Sequence, residues 1–190
     1  MSWSDAPRQA DGALSLPEEP TMEITVIGAG AIGTWLAVEL PATQVIVRRE
    51  KPAEFRVGDK VARPRVLAWD EVRELRGVVF VTVKAVDLEA TLARLAPHRE
   101  ALVVLCQNGI LGSLPGDNFV RACCWIGVAR EAPGVARVAG FDRFDLAGPR
   151  AREVPLPRAR ILENVAQCEW KKALWNVSVN GACALVGRRQ

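Results

Sequence analysis

Residues 22–33, MEITVIGAGAIG, constrain this chain more than any other stretch. An apolar run, 22–27, ends in Gly28-Ala29-Gly30-Ala31-Ile32-Gly33, and an apolar, helix-compatible segment, 34–40, follows directly. That order is strand, glycine turn, helix, the opening unit of a dinucleotide-binding α/β fold. Gly28 permits the tight turn, Gly30 leaves room for a pyrophosphate, and Gly33 lets the helix lie close to the strand. The free N–H groups at the helix start, with the helix dipole behind them, favour a phosphate. A GxGxxG by itself is also an ordinary glycine turn. Here both flanks are those of a nucleotide site.

The remaining totals narrow the class. A length of 190 residues allows one full domain and part of a second. With 49% hydrophobic and 25% charged residues the chain reads as soluble and globular. No apolar run is long enough to span a bilayer, and no basic segment leads into an apolar one at the start. The expected location is therefore the cytoplasm. A net charge of +3 without a polybasic block gives no reason to expect nucleic acid. Five cysteines, Cys106, Cys123, Cys124, Cys168 and Cys183, show no zinc or CxxC spacing. Most lie in apolar runs, which predicts buried thiols in a reducing compartment and no metal.

Along the chain, residues 1–20 are rich in Pro, Ser, Asp and Glu and predict a disordered leader. Residues 44–47 read as the second strand. The residue after that strand meets the adenosine ribose in this fold, and a carboxylate there would favour NAD. This chain has Arg48-Arg49, with Glu50 behind them. A guanidinium suits a 2′-phosphate, so NADP(H) is preferred, with a plain surface arginine pair as the alternative. Residues 51–69 predict a loop with one or two short strands. Asp70 could cap a short helix over 71–75. The run 78–83 predicts a buried parallel strand ending at Lys84, and strand ends of that kind gather ligands. A helix is expected over 87–96. His98 reads as an exposed turn residue.

Residues 101–106 predict the next strand, ending in Gln107-Asn108-Gly109, where an Asn-Gly turn is the alternative to a ligand contact. A strand over 120–128 follows, then a hairpin of 135–139 with 141–146 turning at Gly140. The nucleotide domain is expected to span 21–149, with 150–160 a linker. From 161 to 186 there is no proline, and a long helix is expected, with Gln167 the place where it could break. On it Lys172, Asn176 and Asn180 stand four apart and form one drifting stripe. One amine and two amides within apolar sequence can serve a ligand, or the amides can bond to another helix. Ketone reduction needs a proton for the oxygen as well as a hydride for the carbon. The chain has no tyrosine and a single histidine. A Tyr-Lys mechanism is excluded, and Lys172 is the best remaining donor.

Taken together, GAGAIG at 28–33, the arginine after the second strand, VKA at 83–85 and QNG at 107–109 form an ordered set. IGVAREAPG at 126–134 and W-x-K-x-x-x-N-x-x-x-N over 170–180 extend it. The set resembles the ketopantoate reductase family, the 2-dehydropantoate 2-reductases. The resemblance implies reduction of 2-dehydropantoate to (R)-pantoate with NADPH, on the route to pantothenate and coenzyme A. It implies that Lys172 is the proton donor and that Asn176 and Asn180 bind substrate. Asn108 would sit near both the nicotinamide ribose and the substrate, and Lys84 and Ala129 would touch cofactor.

The chain departs from the family in reading ILGSLPGD after QNG, where a glutamate is usual, and in having Ala173 where a larger apolar residue is common. The family also has a helical C-terminal domain, of which 161–190 would be only the first helix. The expected fold is thus a Rossmann-like α/β domain followed by the start of an incomplete helical substrate domain. An exposed apolar face on that helix could pair two copies. The alternatives to the pantoate reaction are a shortened relative that binds NADP(H) without turnover, or a reductase of another 2-keto acid.

Overall fold

The computed structural model describes residues 22–40 and 42–187. The expected leader, 1–20, lies outside the described residues, as do Arg188, Arg189 and Gln190.

β1 (Ile24–Ile27) is buried at every position and has a parallel neighbour on each side. β6 (Val78–Val81) and β7 (Leu102–Leu105) are buried throughout as well, as expected of parallel strands covered on both faces. Alternate residues divide the core in two. Val26, Phe80 and Val104 pack with Trp35 and Leu36 of α1 (Ala31–Glu39). Ile27, Val79, Val81, Val103 and Leu105 pack with Leu88 and Leu95 of α2 (Leu88–Leu95) on the other face. β2 (Gln44–Val47) and β5 (Arg65–Ala68) extend the parallel sheet on one side. On the other side lies β8 (Phe119–Ala132), parallel to β7. With β3 (Phe55–Val57), β4 (Lys60–Ala62) and β9 (Val135–Ala147), the ten-stranded sheet runs β4-β3-β9-β8-β7-β6-β1-β2-β5, and β10 (Ala159–Ile161) lies beside β9. The α/β class is the expected one.

Several local readings change. Residues 51–69 hold three strands, β3 (Phe55–Val57), β4 (Lys60–Ala62) and β5, rather than one or two. No helix forms over 71–75. A 3₁₀ turn, Trp69–Glu71, stands there instead. The Glu71 carboxylate folds back on the Ala68 N–H and ion-pairs with Lys51, and Leu75 is drawn into the core. The expected hairpin turn at Gly140 is wrong. β9 (Val135–Ala147) runs through Gly140, which pairs with Gly127 at an irregularity in the ladder. The turn lies at Pro133-Gly134, where Gly134 has φ +73° and its carbonyl accepts the Arg56 N–H. His98 is half-buried, and its Nδ1 accepts the Leu75 N–H at 3.2 Å.

The last helix, α3 (Val165–Leu185), starts four residues later than expected and has no interruption at Gln167. Asn164 caps it, its Oδ1 accepting the Gln167 N–H at 2.7 Å. Residues 150–160 pack Ala151, Val154 and Leu156 into the core before leading into β10.

The glycine turn shows why each glycine stands where it does. Gly28 has φ +102°, and Thr82 Oγ1 lies 2.9 Å from the carbonyls of both Ile27 and Gly28. A Cβ at Gly33 would come within 1.8 Å of the Gly28 carbonyl, whereas nothing lies within 4 Å of one at Gly30. Gly33→Ala is therefore expected to destabilise the fold by about 1–3 kcal/mol in a denaturant titration. Gly30→Ala should cost less than about 1 kcal/mol, the loss of a favourable N-cap. Equal losses at the two positions would contradict this account.

Candidate active site

A groove of about 630 Å³ opens at the carboxyl ends of β1, β2 and β6. Gly28, Ala29 and Gly30 form one wall, and Arg48, Arg49 and Glu50 follow β2. Thr82, Val83, Lys84 and Asp87 follow β6, and Trp69, Arg94 and Arg130 complete the rim. Five cations face two carboxylates here, so the groove attracts an anion. Arg48 Nη1 is 2.9 Å from Asp87 Oδ1, and Arg130 Nη2 is 3.2 Å from Glu50 Oε2. Both pairs are exposed, so each can open to a competing phosphate at small cost. Trp69 carries Arg94 5.4 Å from its ring centroid, an aromatic surface against which a base can stack. Ala31, Ile32 and Gly33 form the first turn of α1, where N–H groups lack helical partners.

The second part of the site lies across β8 and β9. Cys168 and Glu169 of α3 are buried against the sheet, Lys172 and Asn176 are half-buried, and Asn180 is exposed. The polar stripe thus turns toward the body of the molecule through Asn176 and leaves it at Asn180. Trp170, Leu174, Trp175, Val177 and Leu185 are the exposed residues of the helix that are large and apolar. Lys172 Nζ sits 4.9 Å from the Trp125 ring centroid. Burial pushes its pKa below that of an ordinary lysine, against a smaller opposing influence of Cys124 and Cys123.

The two parts are joined by a buried ion pair. Arg121 of β8 and Glu169 of α3 meet at 2.7 Å, with side chains 2% and 0% exposed. Arg121 also donates to the carbonyls of Leu105, Gln107 and Gly109 at 2.7–2.9 Å. Glu169 accepts the N–H groups of Leu111 at 2.9 Å and Gly112 at 3.1 Å. The loop after β7 that carries Asn108 is therefore fastened to the helix that carries Lys172. Asn108 itself is exposed, and Ala129 is half-buried on β8. The Gln107 amide is buried without a hydrogen-bond partner among the described residues. That state points to a ligand or water beside it.

Sequence reasoning missed Arg121, Glu169 and Trp125. A charge inside the apolar run FVRACCW was the one available signal for the first. Among the described residues no group of histidine, cysteine, aspartate and glutamate could hold a metal ion. Cys106, Cys123, Cys124 and Cys168 are buried free thiols, and Cys183 is half-buried.

A family model described as ketopantoate reductase PanE/ApbA matches residues 24–150. A dimeric ketopantoate reductase from Staphylococcus aureus is similar in structure, with a TM-score of 0.69 and 22% identity. The match covers 88% of this chain and 70% of that one. A 2-dehydropantoate 2-reductase from Geobacter metallireducens has a TM-score of 0.71 at 19% identity, covering 87% of this chain and 66% of that one. D-mandelate dehydrogenase, solved with NADH and anilino(oxo)acetate, reaches 0.71 at 19% identity, covering 87% and 65%. No curated protein matches the sequence. At these identities the likeness is one of fold, and the chain spans about two thirds of the length of these structures.

Proposed function

Because the chain belongs to the ketopantoate reductase PanE/ApbA family, we propose that it reduces the keto group of a 2-keto acid with NADPH, converting 2-dehydropantoate to (R)-pantoate. The observation that carries this reading is the half-buried Lys172 ammonium, on a helix docked to the loop that carries Asn108. The residues present fit the cofactor. Ala31, Ile32 and Gly33 present the first-turn N–H groups of α1 to a pyrophosphate, and Gly28, Ala29 and Gly30 wall the groove, with open space at Gly30. Arg48 and Lys84 offer positive charge at the ends of β2 and β6. Asn108 and Ala129 complete the contacts. Bound NADPH supplies the hydride.

The chain's own residues do the rest. Lys172 donates the proton to the carbonyl oxygen and stabilises the alkoxide as it develops. Asn176 and Asn180 orient the substrate's hydroxyl and carbonyl groups, and Asn108 bridges cofactor and substrate. No helix among the described residues is long and apolar enough to cross a membrane. The four buried thiols suit a cytoplasmic enzyme. The exposed apolar residues of α3 are where a second copy would pair. A second reading is an NADP(H)-binding chain without turnover, favoured by a proton donor only half-buried and an exposed Asn180.

Loss of NADPH absorbance in the presence of 2-dehydropantoate separates these readings, with cofactor affinity measured by fluorescence in the same samples. Turnover supports the reductase. Tight binding with no turnover of this or any other 2-keto acid leaves the binding chain. The preference for the phosphorylated cofactor has its own check. Arg48→Ala should weaken NADPH about tenfold, roughly 1.4 kcal/mol, and leave NADH nearly unaffected. Equal weakening of both cofactors would remove Arg48 as the 2′-phosphate contact.

A further inference from the structure

Resting on that reading of Lys172, we propose that Trp125 is a positioning residue for the proton donor: its indole carries the Lys172 ammonium and shields it from water, and Asp145 and Arg160 hold the ring in place. Trp125 faces Arg143 across the β8–β9 ladder, and Cys123 faces Asp145 two pairs further on. Side chains two apart on a strand share a face. α3 crosses this face. Cys168 Sγ lies 3.2 Å from the Asp145 carbonyl, and Lys172, one helical turn on, reaches the Trp125 ring at 4.9 Å.

The ring is anchored. Trp125 Nε1–H donates to Asp145 Oδ2 at 2.8 Å. Asp145 is fully buried and takes a two-pronged contact from Arg160, Nε at 3.0 Å and Nη2 at 2.8 Å. Turning the indole away would take a donor from a buried carboxylate. The ring also meets Trp175 edge-on, with centroids 6.1 Å apart, and the Arg143 guanidinium carbon lies 5.2 Å from its centroid.

The charges around Lys172 leave the ring as its main partner. On α3, Glu169 is engaged by Arg121. On β9, Asp145 is engaged by Arg160, and Arg143 is a cation. On β8 the Cys124 and Cys123 thiols act on Lys172 weakly, and Arg121 is engaged by Glu169. The aromatic face attracts the ammonium, while the bulk of the ring keeps water from it. The depressed pKa of Lys172 agrees with the second effect.

The test is the titration of Lys172 in the whole chain, read by NMR of reductively ¹³C-methylated lysines and assigned with Lys172→Ala. Trp125→Ala admits water and should move the titration up by about half a unit or more. It should also lower kcat about tenfold, with NADPH affinity within about twofold of the parent. Trp125→Phe keeps an aromatic face and most of the bulk but loses the Nε1–H bond to Asp145, so its titration should lie between those of the parent and Trp125→Ala. An unchanged titration in Trp125→Ala, or the same shift in Trp125→Phe, overturns the proposal. Should the alanine variant fail to fold, Trp125→Leu decides. It stays dry but lacks the face, so Lys172 should titrate below the parent, and no change there is equally fatal. If the parent chain turns over no 2-keto acid, the reductase reading fails, while the titration still decides the role of Trp125.

Discussion

Arg121→Met is expected to cost about 3–5 kcal/mol, because it leaves the Glu169 carboxylate buried without its counter-charge. It also removes the donor that serves the carbonyls of Leu105, Gln107 and Gly109. A domain is stable by only about 5–15 kcal/mol, so such a loss would shift the denaturation midpoint by a large fraction of its value. Glu169→Leu should cost a similar amount, since a guanidinium cannot shed its proton to escape an apolar site. The double variant should lose clearly less than the two single losses together, because no lone charge remains. Denaturant titration of the four proteins checks this. A loss below about 1 kcal/mol in both single variants would mean that water reaches the pair in solution.

Lys172→Ala should lower turnover by about 10²–10⁴, the usual contribution of a positioned general acid. Affinity for NADPH should stay within about threefold, since the proton donor acts on the substrate. The sign of the pH dependence follows from the burial of Lys172. The ammonium is the active form, so turnover should fall as pH rises through a pKa lying below the ordinary lysine range. The alanine variant should lack that limb. A variant with the parent's rate, or with the parent's alkaline limb, would assign proton transfer to another group. The assay needs a parent chain that turns over, and the same NADPH titration shows whether the cofactor still binds when it does not.

What could be read in the sequence was what is encoded within a few residues. The turn at Gly28, Gly30 and Gly33 carries its own strand and helix on either side. Lys172 and Asn176 share a face by spacing alone, and both turn toward the sheet. The 3.6-residue period also predicts that Asn180 drifts off that face. The turn at Pro133-Gly134 was misplaced to Gly140 because an isolated glycine in β-rich sequence can mark a turn or an irregularity within a strand. β3 and β4 could not be placed within 51–69 because each is only three residues long and β4 buries none of them fully. Arg121 and Glu169 were illegible for a different reason. They stand 48 positions apart, and only the docking of α3 on β8 brings them together. Trp125 likewise acquires its meaning from a helix that begins at Val165.

The pairing of β3 with the far end of β9 has a consequence for the order in which the molecule can be made. Arg56 pairs with Val135, and Val57 with Ala136. A nascent chain leaving the ribosome therefore presents the buried faces of Phe55 and Val57 long before the strand that completes them has been synthesised. Until then α1, and β4 along the other edge, are the neighbours available to β3. The parallel centre can assemble early, whereas this outer flank must wait for a distant partner and closes late. During that interval the unpaired edge of β3 is the part of the molecule most exposed to a foreign strand. Chaperone contact, or aggregation of stalled chains, should concentrate there.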